Sequence, residues 1–180
     1  MNWLMCAFLI FMLSGGAFAQ KLAYINSQKI LAQYKEAQDA QERLDKINQD
    51  WEAESREMQR QFQELGEQLD SQSLLLSEDR KKEKQQELQS LYMKIQQFQN
   101  EKWGQSGEFY KKQDETMQPV IDKINAAIAK VGEEERYDYI FDTVAGNILY
   151  ASPNQTDLTD LVLEELEKGL EKSTGPRRTR

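Results

Sequence analysis

A narrow apolar stripe on a long polar segment is the feature that most constrains the fold of this chain. From residue 34 to residue 69 there is no proline, and the only glycine is Gly66. The stripe, in which Gln41 fills one gap, consists of Tyr34, Ala37, Leu44, Ile47, Trp51, Ser55, Met58, Phe62, Leu65 and Leu69. Its steps are mostly of three and four residues, about 3.5 residues per turn, so this segment is predicted to be one helix of a coiled coil.

A second stripe of the same period follows a short turn. Leu74-Leu75-Leu76 lies between serine-rich segments, and Ser77 or Asp79 can cap the next helix. The second stripe consists of Leu88, Leu91, Ile95, Phe98, Lys102, Gln105 and Phe109. Two helices of about 35 to 50 residues, at about 1.5 Å per residue, predict an antiparallel hairpin arm of about 50 to 70 Å over residues 34–119. Gly104 and Gly107 interrupt the returning helix, and we expect a bend or a softened segment there.

The segments on either side of the arm predict a small α/β body. The run Leu22–Ile25 is typical of a strand, and Asn26-Ser27 can cap a short helix near residues 28–33. The next helix carries an apolar stripe that continues past Pro119 and consists of Met117, Ile121, Ile124, Ile128 and Val131. Tyr137–Asp142 and Ile148–Ala151, separated by the turn residues 145–147, predict a β-hairpin.

A final helix and a tail follow the predicted hairpin. Residues 152–157 are predicted to form a loop, and Asp157 or Thr159 can cap an amphipathic helix. The apolar side of that helix consists of Leu161, Val162, Leu166 and Leu170. The body therefore comprises residues 20–33 and 120–172, and residues 173–180 are expected to be a disordered tail. The predicted fold class is mainly α, with a long coiled-coil hairpin inserted between strands of a small sheet.

That small sheet is expected to be stabilised by oligomerisation. Three strands and about sixty residues bury little apolar surface, and the chain has neither disulfides nor metal ligands to add stability. Pairing of open strand edges around a symmetry axis would supply the missing burial. The residues predicted to lie at this interface are Leu22, Tyr24, Tyr139, Ile140, Phe141, Ile148, Leu149 and Tyr150.

The first nineteen residues have the pattern of a secretory signal peptide. They carry no charged side chain, contain an apolar block from Trp3 to Leu13, and end in the small-x-small sequence Ala17-Phe18-Ala19. A block of about eleven residues is shorter than the ~20 that a membrane-spanning helix needs. We therefore expect export, cleavage before Gln20 and loss of Cys6, the only cysteine.

Composition excludes several classes of function. Histidine is absent, so His-assisted nucleophiles and the usual zinc or haem sites cannot form; no metal, cofactor or enzymatic activity is predicted. No glycine-rich phosphate loop occurs, which argues against nucleotide use. The chain has 23 basic and 31 acidic residues, a net charge of -8, which argues against a general nucleic-acid binder.

Five segments, taken in order around the predicted arm, resemble the Skp/OmpH family of periplasmic chaperones. They are Leu22–Asn26 with Ile30-Leu31, Gln118–Ile128, Tyr137–Asp142, Ile148–Ala151 and Asp157–Asp160. The resemblance implies a periplasmic homotrimer with a small central barrel. Its three arms would enclose a cavity that holds unfolded outer-membrane proteins. Because no nucleotide is required, the expected mechanism is a holdase that lowers the concentration of free, aggregating client.

Client contact is predicted at apolar positions left over after the seam of the arm is filled. These are the tip, Leu74, Leu75 and Leu76, together with Tyr92 and Trp103. The basic residues Arg80, Lys81, Lys82 and Lys84 could contact acidic chains or, weakly, lipid headgroups. The alternative function is a structural or tethering coiled-coil protein of the cell envelope, in which the arm spaces two partners and holds no client.

Overall fold

A computed structural model describes residues 20–146 and 148–174 of the chain. The predicted signal peptide, residues 1–19, lies outside the described residues, as do Asn147 and residues 175–180. The elements are β1 (Leu22–Ile25), α1 (Ser27–Gln33), α2 (Lys35–Gln72), α3 (Glu78–Trp103), α4 (Glu108–Glu134), β2 (Tyr139–Asp142), β3 (Thr156–Asp157) and α5 (Thr159–Thr174). The mainly helical fold with a small sheet is therefore confirmed, and Ser173 and Thr174, expected to be disordered, are helical.

The described residues divide into two compact units. One unit contains the residues up to Ile30 and those from Ala127 onward, and the other contains Leu31–Ala126. The second unit is inserted in the sequence between β1 and β2, and we refer to it as the arm unit. The first unit contains the whole sheet, and we refer to it as the sheet unit.

The sheet is parallel, in the order β2-β1-β3. In the central strand β1, Leu22 pairs with Tyr139, and the register continues to Ile25 opposite Asp142. On the other edge of β1, Ala23 pairs with Thr156. Both neighbours of β1 therefore come from sequence more than a hundred residues away.

The prediction of a β-hairpin is wrong. Residues 148–151 are not a strand, and the third strand is Thr156–Asp157, which had been predicted to be a loop. After β2 the chain is turned by Asp142, whose Oδ1 accepts the N–H of Val144 at 3.0 Å, while the N–H of Thr143 donates to Ile25 O at 2.9 Å. These bonds extend the parallel pairing with β1, so β2 does not fold back on the segment that follows it.

Side-chain caps fix the two helices that start beside the sheet. Asn26 Oδ1 accepts the N–H of Lys29 at 2.8 Å in the first turn of α1, as the sequence predicted. Asp157 Oδ1 accepts the N–H of Thr159 at 2.9 Å at the start of α5. The fully buried Thr159 hydroxyl also accepts the N–H of Asn26 at 2.9 Å. This hydrogen bond joins the start of α1 to the start of α5, just after the carboxyl end of β1.

In the arm unit, α2 and α3 contact each other, and the contacts include Tyr92 and Trp103, which lie outside the predicted second stripe. The ring of Phe62 contacts that of Tyr92, and the ring of Trp51 contacts that of Trp103. Later residues of α2 thus meet earlier residues of α3, so the two helices run in opposite directions. The gap in the first stripe is filled by the buried Ala40 and not, as predicted, by the exposed Gln41.

The glycine-containing segment breaks the helix, as the sequence predicted. Helix α3 ends at Trp103 and α4 begins at Glu108, so Gln105 is an exposed residue of the break and does not belong to the second stripe. A Cβ on Gly104 would overlap the carbonyl group of Asn100, and one on Gly107 would lie 2.7 Å from Lys102 O. Both positions therefore require glycine for steric reasons.

The buried faces of α4 and α5 are rotated slightly from the predicted stripes. On α4 the buried residues are Val120, Ile124, Ala127, Val131 and Gly132. Ile121 and, on α5, Leu161 were assigned to the core and are exposed, whereas Leu163 is buried. Many apolar residues on these helices allow more than one stripe of period 3.6, and only the packing partners decide among them.

Candidate functional site

The sheet leaves one apolar face open. Side chains alternate along a strand, so Ala23 and Ile25 of β1 point into the core and are buried. Leu22 and Tyr24 point the other way, where the parallel register places them beside Tyr139 and Phe141 of β2. The rings of Tyr139 and Phe141 are stacked, with their centroids 6.3 Å apart. We call this surface the open sheet face.

A shallow groove of about 190 Å³ lies on the open sheet face. Its floor is formed by β1 and Phe141, and its wall by residues of the 148–155 segment, including Ile148 and Tyr150. The side-chain amide of Gln155 donates to Leu22 O and ties this wall to β1. The groove is therefore a recess with both apolar and polar lining, Ser152 and Gln155 supplying the polar side chains, and it is built from residues of the sheet unit alone.

The 148–155 segment also carries the most exposed apolar residues of the sheet unit among the described positions. Leu149 is 97% exposed and Tyr150 is 80% exposed. Both were predicted to be interface residues because a strand was expected there. The structure exposes both side chains without a strand.

Ile140, the remaining predicted interface residue, lies on the inner face of β2. A Cβ on Gly132 of α4 would be only 3.0 Å from Ile140 Cδ1, so the glycine permits helix and strand to approach closely. Six of the eight predicted interface residues therefore lie on the open sheet face or line its groove, Leu149 is exposed in the 148–155 segment, and Ile140 packs beneath the sheet. Its β2 neighbours Tyr139 and Phe141 supply the outward side chains.

Asp142 holds the end of β2 next to the start of α1. Its Oδ1 accepts the N–H of Ser27 at 3.2 Å as well as that of Val144. Burial raises the pKa of the Asp142 carboxyl, but the hydrogen bonds from Ser27 and Val144 outweigh burial and leave the pKa below its ordinary value. The carboxylate form is therefore the one that the fold stabilises.

In the arm unit, the turn between α2 and α3 exposes two leucines. Leu74 is 96% exposed and Leu75 is 87% exposed, while Leu76 is half-buried. Ser77 caps α3 directly after them by accepting the N–H of Arg80 at 3.4 Å. The sequence thus located the exposed apolar tip correctly for two of its three leucines.

The other two apolar residues predicted for client contact have different surroundings. Tyr92 is half-exposed, and its ring contacts that of Phe62, with the two centroids 6.1 Å apart. Trp103 was predicted to lie outside the contact between the two helices of the arm, but it packs within that contact. Its Nε1–H donates to Asn48 Oδ1 at 2.8 Å, and its ring contacts those of Trp51 and Phe98. Asn48 gave no sequence signal, because it lies one position past the predicted stripe residue Ile47.

The four basic residues past the tip are not a uniform patch. Arg80 pairs with Glu83 and Lys81 pairs with Glu78, each within the first turns of α3. Lys81 and Lys84 are half-buried at a spacing that continues to Leu88. The local carboxylates reduce the positive charge that this region presents.

No group of three or more potential metal-ligating side chains occurs within residues 20–146 and 148–174. In the same part of the chain, no helix combines the length and apolar character needed to cross a membrane.

The chain has a parallel three-stranded sheet with one open apolar face. A long helical segment is inserted in the sequence between the first two strands. The protein is therefore a small α+β protein with a helical arm. A protein-family model described as outer membrane protein (OmpH-like) matches residues 21–166. The chain belongs to the OmpH-like family.

Structural comparison agrees with that assignment. The fold matches the crystal structure of an OmpH-like protein of Caulobacter crescentus CB15, assigned by name as an outer membrane chaperone, with a TM-score of 0.71. The match covers 86% of this chain and 88% of that chain at 18% sequence identity. Among curated proteins, none matches this chain.

Proposed function

We propose that this chain is a non-enzymatic, ATP-independent holdase chaperone of the periplasm. It binds unfolded outer-membrane proteins in a cavity between the arms of a homotrimer and prevents their aggregation. Membership of the OmpH-like family and the shared fold with a protein named as an outer membrane chaperone support this proposal. The single observation that carries it is the open sheet face.

That face is unusual because parallel sheets occur almost only with both faces covered. Here one face is packed by helices, and the other presents the rings of Tyr139 and Phe141 and the side chain of Leu22. Burying a large apolar side chain contributes about 1.5–3 kcal/mol, so several such residues on each copy favour association. A closed ring of three copies would cover the face and abolish the free strand edges.

Client binding is assigned to the arm unit. Leu74 and Leu75 offer apolar surface at the tip, and Tyr92 with Met93 offers more along α3. Individually weak contacts spread over several arms hold an unfolded chain without imposing one conformation. They lower the free client concentration, and aggregation slows because it depends steeply on that concentration. Lys82 and Lys84 add local positive charge for acidic client segments or, weakly, for lipid headgroups.

Light scattering tests the activity directly. An unfolded outer-membrane β-barrel is diluted from urea with and without an equimolar amount of this protein, calculated as trimer. We expect the scattering to fall strongly in the presence of the protein without added nucleotide. The double variant Leu74→Ser/Leu75→Ser should suppress scattering less well, whereas the matched exposed pair Gln85→Ser/Gln86→Ser should behave like the wild type.

Unchanged scattering with the wild-type protein would contradict the proposal. That result would favour the alternative of a structural or tethering protein, whose arm spaces two partners and sequesters no client. Equal loss of activity in the two double variants would instead contradict the assignment of client contact to the tip.

A further inference from the structure

The break between α3 and α4 is spanned by one charged side chain. Lys102, in the last turn of α3, extends its Nζ to 2.7 Å from Glu108 Oε2, in the first turn of α4. The same Nζ lies 4.9 Å from the ring centroid of Trp51 and 5.6 Å from that of Phe98. A single ammonium group therefore contacts α2, α3 and α4.

This lysine is partly withdrawn from water. Its side chain is only 16% exposed, compared with 44% for Lys112, which pairs with Glu115 within α4. An ammonium group that has lost water needs its remaining partners, and cation–π contacts strengthen when they are desolvated. The hydrogen bond from Lys102 lowers the pKa of the Glu108 carboxyl, as expected for a close pair.

Trp103 reinforces the same place from the neighbouring position. Its ring meets the ring of Trp51 edge-on, with centroids 6.3 Å apart, and the ring of Phe98 at 6.0 Å. Its hydrogen bond to Asn48 attaches the end of α3 to α2. The backbone beyond it is a turn closed by Gly107 N–H donating to Gly104 O at 2.8 Å.

We propose that Lys102, with Trp51, Phe98, Trp103 and Glu108, forms a clasp that holds the break between α3 and α4 in one geometry. Without the Lys102 ammonium, the break becomes a hinge about which the direction of α3 changes relative to α4. This inference concerns the conformation of the arm unit and does not depend on client binding. In the proposed chaperone, the Lys102 clasp would therefore control the stiffness of the arm.

Hydrogen exchange of the full chain tests the clasp. Lys102→Met removes the charge and keeps the length of the side chain, and Lys112→Met removes the same charge from a pair that does not span the break. We expect Lys102→Met to speed amide exchange in residues 100–110 by about tenfold or more, with less than about twofold change in β1 and β2. Lys102→Arg should remain near the wild type, and Lys112→Met should leave residues 100–110 unchanged.

Tryptophan fluorescence provides an independent readout. In a Trp3→Phe background, the only tryptophans are Trp51 and Trp103, and both belong to the clasp. Lys102→Met should red-shift their emission and increase quenching by iodide. Glu108→Gln, which keeps the ring contacts and loses the ion pair, should give an intermediate change in exchange and emission.

Three outcomes would overturn the clasp: unchanged exchange in Lys102→Met, equal acceleration along the whole chain, or the same acceleration in Lys112→Met. If Lys102→Met fails to fold, Glu108→Gln decides the question. Wild-type exchange at residues 100–110 in that variant would overturn the proposal.

Discussion

At the scale of single residues, the sheet depends on a few polar side chains that accept backbone N–H groups where strands end and helices begin. Asp142 is the clearest case, because its carboxylate accepts backbone N–H groups from Ser27 and Val144. The Ser27 donor is partly buried, and loss of its acceptor costs more than the average hydrogen bond contributes, whereas the Val144 donor is exposed to water. Thr159 has a similar role at the start of α5, where its hydroxyl accepts the N–H of Asn26.

Asp142→Ala is expected to lower the free energy of unfolding by about 1–2 kcal/mol at pH 7. Since the pKa of Asp142 is lowered in the folded state, its contribution is present above the unfolded-state pKa of about 3.9 and lost as the pH falls through the folded-state value. The difference between wild type and Asp142→Ala should therefore shrink from pH 7 to pH 3. Urea titrations at fixed protein concentration measure this difference, and a constant gap would contradict the assignment.

At the scale of elements, the helices follow local sequence closely because their stripes, caps and breaks are local signals. Ser77 caps α3, Asn26 caps α1, and the two glycines end α3 where the sequence indicated. The face that each helix buries was less predictable. Val120 lies beside Ile121 and Ala40 beside Gln41, and the buried one of each pair depends on the neighbouring elements.

Alanine substitutions separate the two kinds of glycine in the helical segments. Nothing lies within 4 Å of a Cβ built on Gly66 in α2, so Gly66→Ala should raise the free energy of unfolding by about 0.5–1 kcal/mol. Gly104→Ala should lower it by about 1–3 kcal/mol, because the new methyl group meets the Asn100 carbonyl. Urea unfolding followed by circular dichroism compares them, and equal signs would contradict the steric account.

At the scale of the whole molecule, the open sheet face is the feature left incomplete in a single copy. Leu22, Tyr139 and Phe141 would remain in contact with water if the protein were a monomer. The arm unit has its own source of stability, since α2 and α3 pack against each other. The proposed trimer accounts for the open face without any further component.

Phe141→Glu should therefore dissociate the assembly. Each copy loses about 1.5–3 kcal/mol of apolar burial, and an unpaired carboxylate would have to be buried as well. Light scattering coupled to size exclusion should report about three chains for the wild type and about one chain for the variant. Tyr110→Glu, at an exposed aromatic residue of α4, should remain trimeric.

A wild-type protein that stays monomeric at micromolar concentration would contradict the trimer. Glycine at Ile140, by contrast, is not a clean test of assembly. Because Ile140 packs beneath the sheet beside Gly132, its truncation would destabilise the fold of each copy.

The sequence by itself determined the helices, the position of the exposed tip leucines, the glycine break and the strands β1 and β2. These depend on periodicity and on residue types that act within a few positions of the chain. Only the tertiary structure decided that the sheet is parallel, that Thr156–Asp157 supplies its third strand, and that Trp103 and Lys102 close on Trp51. The physical reason is that these strand pairs and side-chain clusters join positions from about 50 to more than 100 residues apart. No local sequence pattern specifies which strand pairs with β1 or which rings pack against Trp51.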